Sequence, residues 1–308
     1  MAGSNLPKGL ITDLITPLTE DGSVDGRGLG KLLDILLPHV QGILISGPWG
    51  GEGCLLSIEQ RLDLFDKALV VVRGAVPILV WITGKTPENT VEILGSLKKR
   101  KEARKYNGDV LWVDSPLYYH SNRGLPEYYA DLCSDINEPL ILYNDPLLIQ
   151  SLDKSLKRNN IRTGVLKELS LNERIGGLIY SGPIERVYNY RKAVRNRPDF
   201  RICDGDESRF LDHPGYGGVV SVGSNIACRE WAKITSSSLN SDMEESYPDQ
   251  QRQMWDIWSC LSGLMSLYST DSAGIIKKVL EGRGVISGPV QVKDENILNA
   301  AMEILENY

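Results

Sequence analysis

Residues 77–113 read PILVWITGKTPENTVEILGSLKKRKEARKYNGDVLWV, and the order of patterns within them decides the fold. Pro77–Thr83 is a short apolar run of strand length, Thr86–Lys98 is an amphipathic helix, and Val110–Val113 is a second strand. Strand, helix, strand in this order requires parallel pairing, because the helical crossover returns the chain to the same edge of the sheet. The alternation continues on both sides. Upstream lie strands at Leu10–Ile15 and Gln41–Ser46, with helices over Gly28–Leu37 and from the Ser57 N-cap along the Leu62, Phe65, Leu69 stripe. Downstream, strands at Pro139–Tyr143, Ile175–Ile179, Phe200–Cys203 and Gly217–Val222 alternate with helices at Pro126–Cys133, Ser151–Asn159 and Glu185–Ala193. Eight units over about 225 residues predict an α/β protein with a closed (β/α)₈ TIM barrel, assigned to residues 7–225. From Cys228 onward only helices are expected, at Glu230–Ser237, Gln251–Tyr268, Ser272–Glu281 and Asp294–Asn307, so residues 226–308 read as a C-terminal helical extension.

Composition narrows the function classes. The 308 residues are 42% hydrophobic and 24% charged with a net charge of -6, and no basic stretch stands out, which argues against nucleic acid or an anionic membrane as partner. The longest apolar runs fall far short of the ~20 residues of a membrane helix. The opening MAGSNLPKGL lacks the apolar core of a signal peptide. Five scattered cysteines, Cys54, Cys133, Cys203, Cys228 and Cys260, form no CxxC pair and fit a reducing, cytoplasmic setting better than a disulfide scaffold.

In a barrel of this kind the chemistry sits at the carboxyl ends of the strands. Those ends carry Thr16–Pro17, then Gly47-Pro48-Trp49-Gly50-Gly51-Glu52, Thr83-Gly84-Lys85, Asp114-Ser115-Pro116-Leu117-Tyr118-Tyr119, Tyr143-Asn144-Asp145-Pro146, Asp204-Gly205-Asp206-Glu207 and Ser221-Val222-Gly223-Ser224-Asn225. Taken together they resemble the dihydrodipicolinate synthase / N-acetylneuraminate lyase family, the class I pyruvate-dependent aldolases. ITPLTEDGSVD resembles the family's opening strand and turn, and GILISGPWGGEGCLLSIEQR its GTTGE loop and following helix. PLYY resembles its PYY element, LYNDP its YNxP element, and DGDESRFLDHPGYGGVVSVGSNIA its GDD-to-SxxxN segment. The resemblance covers nearly the whole chain. It implies a carbon–carbon lyase acting on a small 2-oxo acid or sugar-acid-like substrate, with no cofactor or metal, and a homotetramer or dimer of dimers.

Three departures separate this chain from that pattern. The family's imine-forming lysine on strand six aligns with Leu178, or with Ile179 after a one-residue slip; neither can attack a carbonyl, and no lysine lies between Lys167 and Lys192. Pro48, Trp49 and Gly50 stand where the family places the paired threonines that hold the pyruvate carboxylate, and proline has no N–H to donate. Leu147 and Leu148 follow YNDP where synthases carry an arginine. Tyr143 and Tyr119 match the proton-transfer tyrosines, with Tyr118 as the alternative to Tyr119. Glu52 matches the loop glutamate.

The resemblance therefore implies Tyr143 and Tyr119 as catalytic groups, with Lys85 as the candidate relocated amine. Gly47, Trp49, Gly50, Gly51, Glu52, Tyr118, Asn144, Asp145, Leu178 and Asp206 are the expected ligand contacts. The rim carboxylates Asp114, Asp145, Asp204, Asp206 and Glu207 are read as helix caps ahead of metal ligands. Asp13 is the telling one, because a charge inside a barrel strand is costly unless it is paired or faces outward. His39, His120 and His213 are far apart, with only His120 near the expected mouth. Neither Ser46 nor Ser181 shows a triad arrangement, and no G-x-G-x-x-G follows a strand. Trp81 reads as barrel filling, and Trp255 and Trp258 as core or subunit contact. Together these point to a divergent, lysine-less lyase and argue against true dihydrodipicolinate synthase activity. The rival is a non-catalytic small-ligand binder or oligomeric scaffold.

Overall fold

In a computed structural model the chain is described over residues 6–152, 158–215, 217–239, 247–288 and 295–306. Eight parallel strands close on themselves in sequence order: β1 (Gly9–Asp13), β2 (Gly42–Ile45), β3 (Ile78–Trp81), β4 (Val110–Asp114), β5 (Leu140–Asn144), β6 (Ile175–Tyr180), β7 (Arg201–Asp204) and β8 (Gly218–Ser221). β8 returns to β1 with Gly9 beside Gly218. Closure depends on that glycine pair. A Cβ on Gly218 would stand 2.0 Å from the Gly9 carbonyl oxygen, and Gly218 takes a φ of 101°, which side-chain-bearing residues avoid.

The strands are apolar on both faces because both faces are covered. Residues pointing into the bore form one cluster that includes Ile11, Leu44, Leu79, Trp81, Val113, Tyr143, Ile179 and Val220. Their neighbours along each strand, such as Ile43, Val80, Trp112, Leu142, Leu178 and Val219, join the second and larger core between barrel and helices. Trp81 fills the bore, as its sequence context suggests, and donates its indole N–H to Ser115 Oγ at 2.9 Å.

The helices start where their sequences supply caps. α1 (Gly26–Leu36) begins at Asp25, whose carboxylate takes the amides of Arg27 and Gly28. α2 (Ile58–Val72) has a reciprocal capping box between Ser57 and Gln60. α3 (Pro87–Ala103) has Thr86 as cap and proline in its first turn. After β4 come α4 (Pro116–Tyr119) and α5 (Leu125–Ser134), after β5 α6 (Pro146–Gln150) and α7 (Thr163–Leu169), then α8 (Ile184–Ala193) and, after β7, α9 (Glu207–Asp212). The short helices α4, α6 and α9 escape periodicity because each spans less than two turns. The helix expected at Ser151–Asn159 falls across residues 153–157, outside the described residues; the flanking Ser151 and Leu152 form a turn.

Beyond a 3₁₀ turn at Gly223–Asn225 the chain is helical, with α10 (Cys228–Leu239), α11 (Tyr247–Tyr268), α12 (Ser272–Gly282) and α13 (Glu295–Glu306). α10 packs along β1 and β8, and α11 packs on α10 and α9. Among the described residues no helix is long and apolar enough to cross a membrane.

Candidate active site

A cavity of about 530 Å³ opens at the carboxyl ends of the strands. Asp13 from β1, Tyr143 from β5 with Asp145 just after it, Ser181 after β6, Gly205, Asp206 and Glu207 after β7, and Val220 from β8 with Val222 just after it line the cavity. Pro48, Trp49, Glu52 and Leu55 of the β2–α2 loop form one side of the mouth, and Leu147 lies beside them. Met265 and Tyr268 of α11, with the turn Ser269–Ala273, form another.

The missing amine is settled by strand parity. A register shift between β5 and β6 inserts Gly176, after which Leu142 faces Leu178 and Tyr143 faces Ile179. Ile179 therefore points into the bore beside Tyr143 and Cys203. Leu178 points outward into the helix-facing core, which removes it from the ligand contacts expected of it. Successive side chains of a strand face opposite sides, so only one of the two could line the bore.

Asp13 is the chemically loaded residue. It is 2% exposed and ends β1 with its side chain turned inward. The Gly50 amide donates to Oδ2 at 2.9 Å, while Oδ1 has no hydrogen-bond partner. Burial pushes the carboxyl up from 3.8 to about 7; the Gly50 and Gly51 amides oppose the rise and Glu207 adds to it. The β2–α2 loop is glycine-rich because it folds directly over this carboxylate. A Cβ on Gly47 would lie 2.1 Å from Asp13 Oδ1, and one on Gly50 would lie 2.5 Å from the Asp13 carbonyl oxygen. Ser46 and Glu52 at the loop's ends adopt left-handed φ values of 53° and 51°, a strain held by surrounding contacts. Those contacts are Thr16 Oγ1 donating to the Gly51 carbonyl at 2.8 Å, Gly53 N–H to the Gly47 carbonyl at 2.9 Å, and Arg61 bridging the carbonyls of Gly53 and Thr83.

The other expected contacts divide between cavity and scaffold. Trp49 donates its indole N–H to Asp145 Oδ2 at 2.7 Å, and Asp145 Oδ1 caps α6 through the amides of Leu147 and Leu148. Asp206 lines the cavity and caps α9 through the Arg209 amide. Asn144 faces away from the cavity, where it fixes the chain after β5 through Ile161 N–H and the Asn159 carbonyl. Tyr143 is buried, and its phenol is held well above the ordinary tyrosine range by burial first and by Asp145 and Asp13 next. It is therefore a proton donor at neutral pH.

Two of the three residues expected to be catalytic are elsewhere. Tyr119 donates its hydroxyl to Asp114 Oδ2 at 2.5 Å, beside Tyr129, which donates to the same oxygen at 2.6 Å. Thr83 Oγ1 donates to Asp114 Oδ1 at 2.6 Å. Tyr118 packs edge-on against Trp81, and His120 stacks on Tyr128; neither lines the cavity. Lys85 is exposed before α3 and does not reach it. Lys277 of α12 is ion-paired with Glu52 at the mouth without itself lining the cavity. Glu207 accepts from Ser221 Oγ, from Gly223 N–H at 2.8 Å and from Tyr268 O–H at 3.0 Å, tying α9, β8 and α11 together. Lys277 and Tyr268 lie far along the chain, and nothing in their local sequence marks them as site residues.

Comparison with known proteins places this geometry. Over 313 aligned residues the chain is 26% identical to the 4-hydroxy-tetrahydrodipicolinate synthase of Methanosphaerula palustris, covering 98% of this chain and 99% of that protein. It is 29% identical over 245 residues to the corresponding protein of Protochlamydia amoebophila, covering 78% and 77%. The solved dihydrodipicolinate synthase of Bacteroides thetaiotaomicron superposes with a TM-score of 0.80 at 20% identity, covering 99% of this chain and all of that one. That of Aquifex aeolicus gives 0.77 at 22%, covering 98% of each; at these identities the likeness speaks for the fold. One solved neighbour is a monomeric variant. The model of the dihydrodipicolinate synthetase family matches residues 6–303, and the chain belongs to that family.

Proposed function

We propose that this protein is a lysine-less, lyase- or aldolase-type member of the family that handles a small carbonyl ligand without forming an imine. The observation that carries the reading is Ile179, the inward-facing residue of β6 beside Tyr143. Among the described residues no lysine lines the cavity. Without an imine, the acceptor of electrons at the reacting carbon is the ligand's carbonyl oxygen, and Tyr143 supplies a proton donor for it. Asp13, poised near 7, takes or returns the proton at the neighbouring oxygen or carbon. The barrel of residues 7–225 and the helices of 226–308 act as one unit in this reading, because α11 and the α11–α12 turn wall the cavity. A cytoplasmic homotetramer or dimer of dimers belongs to the same reading, supported by family membership and by five free cysteines.

A non-catalytic binder is the second reading. It is favoured by the placement of Tyr119 and Lys85, which do not converge with Tyr143.

Borohydride reduction tests the central point. The protein is incubated with pyruvate and with longer 2-oxo acids, reduced, and its intact mass read beside a lysine-bearing relative. No adduct is expected here while the relative shows one. An adduct mapped to Lys277 or Lys85 overturns the imine-free reading. Slow retro-aldol turnover that disappears in Asp13→Asn and Tyr143→Phe separates the enzyme from the binder.

A further inference from the structure

We propose that the ligand of this cavity is a neutral carbonyl compound with an apolar tail, a ketone or aldehyde that carries no carboxylate. The inference rests on the reading that the cavity receives a carbonyl ligand, and it adds that ligand's charge and shape.

A ligand carboxylate needs donors, and the amides around the mouth are already given to the chain's own acceptors. Successive backbone amides in a loop form a nest that binds an anion. In the β2–α2 loop that anion is Asp13, whose Oδ2 accepts the Gly50 amide at 2.9 Å. The Gly51 amide acts on the same carboxyl, opposing the rise in pKa that burial causes. Pro48 has no N–H to offer. At the start of α6 the Leu147 and Leu148 amides are taken by Asp145, which also takes the Trp49 indole N–H. After β7 the Asp206 amide is taken by Asp204 and the Gly205 amide by the Tyr180 carbonyl. At three strand ends an aspartate of the chain therefore occupies the donors that a ligand's carboxylate would use.

Charge points the same way. Among the described residues six carboxylates line the cavity and no lysine, arginine or histidine does. Lys277 at the mouth is paired with Glu52, and Arg209 of α9 with Asp204. An entering carboxylate would leave water for a low-dielectric space of like charge. An uncharged carbonyl meets no such cost, and the Tyr143 hydroxyl in the cavity lining can donate to its oxygen. The tail follows from the rim. Leu55 is 81% exposed, Leu147 66% and Trp49 40%, and all three stand at the mouth with Pro48, Val222 and Met265. Large apolar side chains left open together beside a cavity of about 530 Å³ are stabilised when an apolar tail covers them.

The test crosses charge with tail length. Titration calorimetry on the full chain at pH 8 compares 2-heptanone, 2-oxoheptanoate, acetone and pyruvate. 2-Heptanone is expected to bind at least tenfold tighter than 2-oxoheptanoate and at least tenfold tighter than acetone, with pyruvate weakest. Leu55→Ala and Leu147→Ala, both at exposed positions, should weaken 2-heptanone several-fold while its preference over 2-oxoheptanoate is kept. In Asp13→Ala the Gly50 and Gly51 amides come free, so the preference for ketone over 2-oxo acid should shrink at least tenfold. Should that variant fold poorly, the four affinities of the wild type decide alone. The neutral, apolar ligand is overturned by 2-oxoheptanoate or acetone binding the wild type as tightly as 2-heptanone, or by a preference unchanged in a folded Asp13→Ala. Any of these leaves the imine-free reading standing. If none of the four carbonyl probes binds, the cavity is not the ligand site and both readings fall.

Discussion

Two strand ends of this barrel carry a buried carboxylate, and they are built to opposite purposes. At the end of β4, Asp114 is fully buried and receives the hydroxyls of Thr83, Tyr119 and Tyr129. At the end of β1, Asp13 is as deeply buried and receives the Gly50 amide on one oxygen, with nothing on the other. Burial raises the carboxyl pKa in both. The difference lies in satisfaction. Asp114 is a knot that fixes the β4 loop, and the tyrosine that family resemblance marks for proton transfer is spent in tying it. Asp13 lies under the β2–α2 loop at the cavity's edge and keeps one oxygen unpaired there. A buried carboxyl with its hydrogen bonds complete speaks for architecture, and one with an unpaired oxygen sealed beneath the β2–α2 loop is an acceptor that burial makes costly to ionise.

The sharpest way to break this comparison is the pH dependence of stability. Asp13 holds its proton in the fold up to about pH 7 but releases it near 3.8 when unfolded. The unfolded chain therefore loses the proton first as pH rises, and stability falls between about pH 4 and pH 7, the full loss remaining above that. A rise of this size corresponds to on the order of 4 kcal/mol. Asp13→Asn cannot titrate, so denaturant unfolding should show wild type losing about that much relative to the variant between pH 4 and pH 8. Parallel pH curves for the two proteins would mean that Asp13 is ionised at little cost and has an unseen partner.

Asp114 should behave in the other direction. Replacing it by Asn puts a donor where hydroxyls already donate, and leaves at least one buried tyrosine or threonine hydroxyl unsatisfied. We expect a loss on the order of 3 kcal/mol. It should appear as a lowered urea midpoint with an unchanged slope, at neutral pH where Asp13→Asn is neutral or stabilising. Equal destabilisation by both variants would erase the distinction between knot and reserve.

This contrast also marks what the sequence makes legible. The barrel is visible because strand and helix periods are local, and β3, α3 and β4 are set within 37 residues that need no distant partner to be read. The mouth loops are legible in order, and the lack of an imine-forming amine follows from IGGLIY. Choosing between Leu178 and Ile179 is not possible from the sequence, because it turns on the bulge at Gly176 that shifts strand parity. Tyr119 sits in the expected motif, yet its hydroxyl direction depends on Asp114 and Tyr129, which tertiary packing brings together. Lys277 meets Glu52 across 225 residues of chain, a pairing no local pattern encodes. Asp13 is conspicuous as a charge among apolar neighbours; what the sequence withholds is that its side chain faces in and that one oxygen goes unused.

The loop that folds over Asp13 gives a third, smaller test. Gly47→Ala would place a methyl group 2.1 Å from Asp13 Oδ1, a contact that must be relieved by moving either the loop or the carboxylate. A loss of about 2 kcal/mol is expected, within the range for overpacking a filled site. It should be smaller in an Asp13→Ala background, where the methyl group finds space. Gly95→Ala, in α3 with nothing near the added carbon, is the control and should be neutral or slightly stabilising. An unchanged midpoint for Gly47→Ala would show that the loop does not press on Asp13.

The smallest effect lies at the rim. Trp49 is 40% exposed, so its ring contributes modestly to the core, yet its indole N–H donates to Asp145 Oδ2 at 2.7 Å. Asp145 is itself nearly buried, with burial raising its pKa and the Trp49 hydrogen bond opposing that rise. Trp49→Phe keeps most of the apolar contact and removes the donor. The expected loss is about 1 kcal/mol at high pH, shrinking as pH falls and the carboxyl takes its proton. A double-mutant cycle with Asp145→Asn isolates the bond, and a coupling of about 1 kcal/mol is expected. The same bond joins the β2–α2 loop to the end of β5 across the mouth, so it sets how freely Trp49 swings over the cavity. If the coupling is absent, the indole is not fastened to the end of β5. The contrast between a closed knot at β4 and a sheltered reserve at β1 would then have to rest on Asp13 alone.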